Sequence, residues 1–191
     1  MEFFQYKNKV KPAKGRLLIS EPFLPDPNFE RTIVLLCEHN NDGSFGFVLN
    51  KPSLARIGDV MEDLKNIEAP VLVGGPVQQD TLHYLHRMSY LEDAIEISEG
   101  IYWGGSYERL NVLLDSRQVE PGDIKFFLGY SGWSPGQLDE EIHADSWIVS
   151  DLVSEQLVFD TEPEVMWKEV LKSMGGRFSV YSNYPVDPRM N

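Results

Sequence analysis

The feature of the sequence that most constrains the fold is an unbroken apolar run at residues 33–37, Ile-Val-Leu-Leu-Cys. A strand with apolar side chains at every position is typical of a sheet that is covered on both faces. Residues 39–43, His-Asn-Asn-Asp-Gly, follow with side chains that tolerate the positive φ of a tight turn. Beyond them, Phe45, Phe47 and Leu49 alternate with smaller residues. The sequence therefore predicts a hairpin whose first strand is buried on both faces.

Further short apolar runs, bounded by Gly or Pro, predict strands over residues 15–20, 71–73, 82–87, 94–97, 101–103, 124–130 and 146–149. Helical spacing predicts helices over residues 57–64, 106–114, 134–142 and 161–174. Ser106 is the expected N-cap of the second helix, and capping boxes at 134–137 and 161–164 open the last two. Strands and helices interleave, so we expect a single domain of the α/β or α+β class.

The composition argues against several classes of protein. Acidic residues outnumber basic ones by 30 to 17, for a net charge of −13, which disfavours a strongly basic nucleic-acid binder or a protein of anionic membrane surfaces. A single cysteine, Cys37, excludes an intrachain disulfide framework. The apolar stretches are too short to span a bilayer, and residues 1–10 lack the apolar core of a signal peptide. We therefore expect a soluble, cytoplasmic protein.

The charge is unevenly distributed along the chain. Residues 1–16 carry one acid, Glu2, and five basic side chains: Lys7, Lys9, Lys11, Lys14 and Arg16. Their net charge is +4, which leaves −17 on the remaining 175 residues. We divide the chain into a basic arm, residues 1–14, and a domain, residues 15–191. The arm either lies on its own acidic domain or stays disordered, or it contacts nucleic acid or an acidic partner through residues 7–16. We favour the first alternative, because the domain lacks a basic footprint for phosphates.

Cys37 and His39 lie two positions apart in a predicted strand, and residues i and i+2 of a strand share a face. A neighbouring imidazole can activate a thiol, so one interpretation is a reactive nucleophilic or redox pair. In the other, Cys37 is a small buried residue and His39 lies at the rim of the hairpin. We favour the second, because buried cysteines are usually inert.

His83 and His86 are three residues apart, a spacing that would let them share a helix face and bind zinc. Their neighbours Leu82, Tyr84 and Leu85 fit a strand at least as well, and a strand places the two imidazoles on opposite faces. The sequence offers no Cys or second His pair to complete a tetrahedral set. We therefore predict no metal site and no cofactor.

Residues 129–133, Gly-Tyr-Ser-Gly-Trp, approach the G-x-S-x-G motif of serine hydrolases, with Ser131 in the nucleophile position. Trp133 replaces the last glycine, and the only later histidine is His143. We therefore predict no catalytic residues, although an enzyme remains an alternative.

The same segment, residues 129–136, is predicted to lead from a strand into a helix N-terminus, where free N–H groups favour anions. Residues 104–106 repeat this pattern, and Trp103 is a further candidate to line a pocket there. No Walker lysine follows, and the alternative is that the glycines serve tight turns. The predicted ligand-binding set is Gly104, Gly105, Ser106, Tyr130, Ser131, Gly132 and Trp133. The acidic runs 62–63, 92–93 and 139–141 are expected to be solvated surface.

Five blocks of the sequence together resemble the AlgH/YqgE family, and they arrive in the family's order: residues 31–52, 73–77, 100–105, 128–142 and 159–176. The resemblance implies a single α/β domain with a bent mixed sheet flanked by several helices, in a bacterial cytoplasmic protein. The family's usual label is that of a transcriptional regulator.

The resemblance and the residues lead to two functional hypotheses. The first is a noncatalytic regulatory protein that acts through a protein partner or a small ligand, without strong direct DNA binding. The alternative is a small-molecule or anion-binding protein, or an enzyme, that uses the glycine-rich segments 104–106 and 129–136. An enzyme should show a concave site with perturbed titratable groups near Ser131, Tyr130 or His39.

Overall fold

The structure, a computed structural model of the chain, describes residues 8–190. Within this range ten strands form: β1 Leu17–Ser20, β2 Ile33–Asn40, β3 Gly43–Val48, β4 Pro52–Arg56, β5 Pro70–Val73, β6 Val77–His86, β7 Ile95–Ser98, β8 Ile101–Trp103, β9 Ile124–Trp133 and β10 Trp147–Ser150. The helices of the same range are α1 Ile57–Val60, α2 Tyr107–Asp115, α3 Gln137–His143, α4 Glu155–Asp160, α5 Pro163–Met174 and α6 Gly176–Tyr181, with 3-10 turns at Glu62–Leu64, Pro121–Asp123 and Pro188–Met190. No helix among these residues is long and apolar enough to cross a membrane.

One large sheet organises the domain, with strand order β10-β1-β2-β3-β9-β6-β8-β7. These neighbours are all antiparallel, whereas β5, which also pairs with β4, runs parallel to β9. Strand β9 is the centre of the sheet, because its first half pairs with β5 and its last three residues pair with β3. The predicted single domain with a mixed sheet and several helices is confirmed.

Buried apolar side chains of the described residues form three clusters around this sheet. The first lies between β1–β3 and the helices α4, α5 and α6, and the second lies between β5, β6 and β9 and the helices α1 and α2. The third covers the opposite face of β1–β3, beneath α3. Leu35 belongs to the first cluster and Val34 to the third, so β2 is buried on both faces as its apolar run predicts.

The hairpin of β2 and β3 contains a β-bulge at Cys37. Leu36 pairs with Gly46 and Glu38 pairs with Phe45, which leaves Cys37 as the extra residue. The strands approach closely here, since a Cβ on Gly46 would lie 2.2 Å from the carbonyl oxygen of Leu35. An inserted residue reverses the alternation of faces, so Glu38 and Phe45 both turn to the face that carries Leu35.

A close backbone crossing lies where β5 ends and β6 begins. A Cβ on Gly75 would meet the carbonyl carbon and oxygen of Tyr130 at 2.2 Å. The carbonyl of Gly74 accepts hydrogen bonds from the N–H of Val48, at 2.8 Å, and from Oγ of Ser131, at 3.0 Å. The two glycines of the Val-Gly-Gly-Pro-Val block therefore join the end of β5 to β3 and β9.

Two polar side chains fix the outer parts of the fold. The amide of Asn8 bonds to the carbonyl of Trp147 and the N–H of Val149, and so occupies bonding positions of the edge strand β10. On α3, one carboxylate oxygen of Glu141 accepts from the indoles of Trp133 and Trp147, both at 2.8 Å. Glu141 was expected on a solvated surface, but it is half-buried and joins α3 to the sheet.

Several elements differ from their sequence-based prediction. The helix predicted over residues 57–64 is split by Met61, which has an extended backbone with φ −125° and ψ 111°. The predicted capping box at 161–164 does not form, because Glu162 is the N-cap of α5 and makes no side-chain cap, although Pro163 opens the helix. At 134–137 only half of the box forms: Gln137 accepts from the N–H of Ser134, at 3.0 Å. Ser106 caps α2 as predicted, since its Oγ accepts from the N–H of Arg109.

Candidate functional site

A cavity of about 570 Å³ opens between the β2–β3 turn, the strands β6 and β8, and the end of β9. Its volume lies in the ordinary range for small-molecule sites, roughly 300–1,000 Å³. The residues that line it are Glu38, Asn40, Asp42, Gly43, Ser44, Phe45, Val77, His83, Trp103, Tyr130, Gly132 and Trp133.

Aromatic rings form much of the cavity wall. The ring of Phe45 lies 5.1 Å from that of Trp103, tilted by 60°, and 6.2 Å from that of Tyr130, at 82°. The imidazole of His83 lies 6.0 Å from the Tyr130 ring and 6.3 Å from the Trp103 ring. All four side chains are half-buried. The rings pack against one another in tilted or edge-to-face contacts, and together they form one wall of the cavity.

Acidic side chains lie at the mouth of the cavity, at the end of β2 and in the β2–β3 turn. Glu38 and Asp42 are both exposed and both line the cavity. Asn40 orients this turn, because its amide donates to Oε1 of Glu38 at 2.8 Å and its Oδ1 accepts from the N–H of Asp42 at 2.8 Å. The bulge at Cys37 places Glu38 on the cavity side, directly opposite Phe45.

His83 carries an unusual polar atom in the cavity wall. Within the described part of the chain its Nε2 is buried and has no hydrogen-bond partner. Burial also lowers the pKa of His83, so the ring is neutral at pH 7. An unpaired buried nitrogen costs about 1–3 kcal/mol, so this position in the cavity wall is one where a bound molecule would supply a partner.

The structure brings together part of the predicted ligand-binding set. Tyr130, Gly132 and Trp133 line the cavity, together with Trp103. They do so from a strand and not from a helix-capping loop, because β9 continues to Trp133 and α3 begins only after Gly136. These residues therefore lie on the strand that precedes the N-terminus of α3, and the predicted anion site at that helix N-terminus stays a prediction.

Ser131 does not reach the cavity. It is fully buried, and its Oγ donates to the carbonyl of Gly74 at 3.0 Å. Side chains alternate along β9, so Ser131 faces away from Tyr130 and Gly132. Within the motif-like residues 129–133, Ser131 therefore has a structural role, because its hydroxyl joins β9 to the end of β5.

Gly104, Gly105 and Ser106 lie outside the lining of the cavity. The carbonyl of Gly104 accepts from Nε2 of His86 at 2.6 Å, and the carbonyl of Gly105 accepts from the Tyr84 hydroxyl at 2.5 Å. Both glycines have positive φ, +68° and +109°. This segment is a turn that connects Trp103, on the cavity, to α2.

Cys37 and His39 do not form a pair. The bulge reverses the alternation after Cys37, so the thiol points into the first cluster while His39 lines a separate cavity of about 890 Å³ beside Ile142. Cys37 is only 3% exposed, and burial raises the pKa of its thiol far above the ordinary value. Nδ1 of His39 lies 2.6 Å from Oγ of Ser44. The hypothesis of a reactive thiol–imidazole pair is therefore wrong.

The other two histidines are separated as the strand spacing predicts. His86 is fully buried, with Nε2 donating to Gly104 and Nδ1 accepting from the N–H of Met88 at 3.1 Å. Among residues 8–190, no three His, Cys, Asp or Glu side chains are grouped to hold a metal ion.

Sequence reasoning missed eight of the twelve residues that line the cavity, among them Glu38, Asp42, Phe45 and His83. Phe45 was expected on the hairpin, but the spacing of apolar residues does not indicate the bulge that pairs Phe45 with Glu38. His83 was weighed only as a zinc ligand. Its neighbourhood depends on β6 and β9 being adjacent, which is a long-range pairing.

The family profile described as AlgH-like matches residues 17–179 of this chain. A UPF0301 protein of Cytophaga hutchinsonii is 48% identical over 181 residues, which cover 94% of this chain and 99% of that protein. A UPF0301 protein of Chlorobaculum tepidum is 43% identical over 95% of this chain and 96% of its own length. The chain belongs to the AlgH-like family.

Two solved structures share the AlgH-like fold. The solution structure of the AlgH protein of Pseudomonas aeruginosa superposes with a TM-score of 0.72 at 28% identity, and covers 94% of this chain and 98% of that one. The crystal structure of a Corynebacterium diphtheriae protein gives a TM-score of 0.76 at 20% identity, over 93% and 95% of the two chains. The second likeness shows the fold alone.

Proposed function

We propose that this AlgH-like protein is a noncatalytic regulatory protein that binds a small ligand in the cavity lined by Phe45, His83, Trp103 and Tyr130. The observation that carries the proposal is the cavity itself, about 570 Å³ and walled by half-buried rings. A folded chain gains free energy by burying aromatic rings fully, so rings held half-open around a space are typical of a binding site.

The described residues support binding over catalysis. The two nucleophiles that the sequence suggested, Ser131 and Cys37, are buried away from the cavity. The titratable groups that line it are two exposed carboxylates, the phenol of Tyr130 and one neutral imidazole. In this proposal a protein partner recognises the ligand-bound form, in the cytoplasm that the family resemblance implies. Nucleic acid is contacted at most through residues 7–16.

A cavity-filling substitution tests the proposal. Gly132 lines the cavity, and a Cβ placed there would meet ring atoms of Tyr130 at 3.3 and 3.8 Å and a methyl of Val77 at 3.8 Å. The larger side chain of Gly132→Leu would then extend into the space that a ligand needs. Gly122→Leu is the matched control, since Gly122 is exposed and a Cβ there meets nothing within 4 Å.

The measurement is the thermal unfolding midpoint of the three proteins with a panel of cationic, anionic and neutral small metabolites. A ligand at 100 times its dissociation constant stabilises a protein by about 2.7 kcal/mol, a shift of several degrees. We expect at least one compound to raise the midpoint of the wild type and of Gly122→Leu, but not that of Gly132→Leu. Stabilisation of all three proteins alike, or of none, would overturn the proposal.

A further inference from the structure

The charges around the cavity all have one sign. Glu38 and Asp42 stand at its mouth, and no Lys or Arg is among the lining residues of the described chain. The imidazole of His83 adds no positive charge at pH 7, because burial lowers its pKa. The whole chain carries a net charge of −13, which raises the local concentration of cations at such a mouth.

The walls behind this acidic mouth favour a particular kind of cation. Aromatic faces attract positive charge, most strongly for tryptophan and tyrosine and within about 6 Å of the ring centre. The ring faces offer no strong hydrogen-bond acceptors, so the three N–H donors of a bare ammonium ion could be paired only at Nε2 of His83 and at the carboxylates of the mouth. A nitrogen that carries alkyl groups loses much less, and its methyl groups pack against the rings.

We infer that the ligand of this cavity is a small organic cation whose charge is carried on an alkylated nitrogen, packed against the wall formed by the rings of Phe45, Trp103 and Tyr130 and facing the carboxylates of Glu38 and Asp42. This inference rests on the proposed function, because it names the chemical class of ligand for the same cavity. It replaces the anion that the sequence pattern suggested, since an anion would meet two carboxylates at the entrance.

A pair of probes of equal shape tests the inference on the wild-type protein. Choline carries a trimethylammonium group, and dimethylbutanol carries an uncharged tert-butyl group in its place. Trp103 lies in the cavity wall, so the quenching of tryptophan fluorescence is expected to report both titrations. We expect choline to bind at least about tenfold more tightly, as one desolvated cation–π contact provides. We also expect its affinity to fall between low salt and about 0.5 M salt.

Charge-neutralising variants locate the effect. Glu38→Gln with Asp42→Asn is expected to weaken choline about threefold to tenfold and to leave dimethylbutanol unchanged. Asp115→Asn is the control, because Asp115 is exposed on α2 and does not line the cavity.

The outcomes separate the inference from the proposed function. Equal affinity for the two probes would overturn the cationic ligand and keep the cavity as a binding site. The same conclusion would follow if the compound that stabilises the wild type in the unfolding panel is neutral or anionic and does not stabilise Gly132→Leu. Preference for choline that survives in the double variant would also contradict the role given to the two carboxylates. If Gly132→Leu binds choline as the wild type does, the proposed site itself is wrong.

Discussion

At the scale of single residues, His83 and His86 have opposite environments on the same strand. His86 has both ring nitrogens hydrogen-bonded, whereas the buried Nε2 of His83 lacks a partner among the described residues. His86→Phe would leave the carbonyl of Gly104 and the N–H of Met88 without their partner, and we expect it to cost about 1–3 kcal/mol. His83→Phe should be neutral or stabilising by up to about 2 kcal/mol, because it removes an unpaired polar atom beside the Phe47 ring.

Urea unfolding of the wild type and the two variants measures this difference. A destabilisation by His83→Phe as large as that by His86→Phe would show that the imidazole of His83 is paired within the protein. We expect His86→Phe to be the more destabilising variant and His83→Phe to weaken ligand binding instead.

Both histidines also make stability depend on pH in a definite direction. Burial lowers the pKa of His86 and of His83 below the ordinary value near 6.5. The unfolded chain therefore takes up protons first as the pH falls, so stability is present above about pH 6.5 and decreases below it. Each histidine contributes a slope of at most about 1.4 kcal/mol per pH unit.

His86→Gln is the variant for this test, since its amide can still donate to the Gly104 carbonyl. The free energy of unfolding, measured by urea between pH 8 and pH 5, should decrease less steeply for the variant than for the wild type. Parallel pH profiles would mean that His86 does not contribute to the pH dependence.

At the scale of elements, the bulge of the β2–β3 hairpin builds the mouth of the cavity. The close approach of Gly46 to the Leu35 carbonyl, 2.2 Å for a Cβ, leaves no room for a side chain. We expect Gly46→Ala to cost about 1–3 kcal/mol and to weaken ligand binding, because relieving the clash shifts Phe45 and Glu38. Gly122→Ala is the control, with an expected change within about 0.5 kcal/mol.

Urea midpoints and the choline titration of the two alanine variants provide the readout. If Gly46→Ala unfolds like the wild type and binds choline equally well, the bulge does not position the cavity.

The elements also show what the sequence could and could not predict. Strand β2, the hairpin and the cap at Ser106 follow from local patterns, and the structure confirms them. Strand β4 was missed because Pro-Ser-Leu-Ala-Arg has no alternation, and its Leu54 is fully exposed. The helices α4 and α6, six residues each, are too short to show a period.

The candidate site was predictable only in part, for a physical reason. Trp103 and Tyr130 were chosen because aromatic residues beside glycines suggest a pocket, and both line it. The bulge at Cys37 could not be predicted from the sequence, because one inserted residue changes which face the following side chains occupy without changing the residue types.

At the scale of the whole molecule, the charge distribution determines which partners can approach. The basic arm does not extend freely beyond residue 7: Asn8 bonds to β10, Val10 packs in the third cluster, and Arg16 donates to the Lys11 carbonyl at 2.5 Å. Residues 17–191 carry a net charge of −17 and repel phosphates, so we expect no binding of labelled duplex DNA at low or moderate salt.

A variant with glutamine at Lys7, Lys9, Lys11 and Lys14 is the comparison for this experiment. It is preferable to truncation, because deletion of residues 1–14 would also remove Asn8 from the edge of β10. Salt-sensitive DNA binding by the wild type that the glutamine variant loses would make the arm a nucleic-acid contact and contradict this account.

The most direct test of the central claim is to map ligand contacts on the whole molecule by heteronuclear NMR. Choline and dimethylbutanol are titrated into labelled protein, and the shifts of backbone amides and indole N–H groups are followed. We predict that saturable shifts group at Phe45, Trp103 and Tyr130 for at least one probe. Shifts confined to the second cavity, around Ile142 and His143, would contradict the assignment of the aromatic cavity as the ligand site, and the absence of saturable shifts with both probes would overturn the inferred cation.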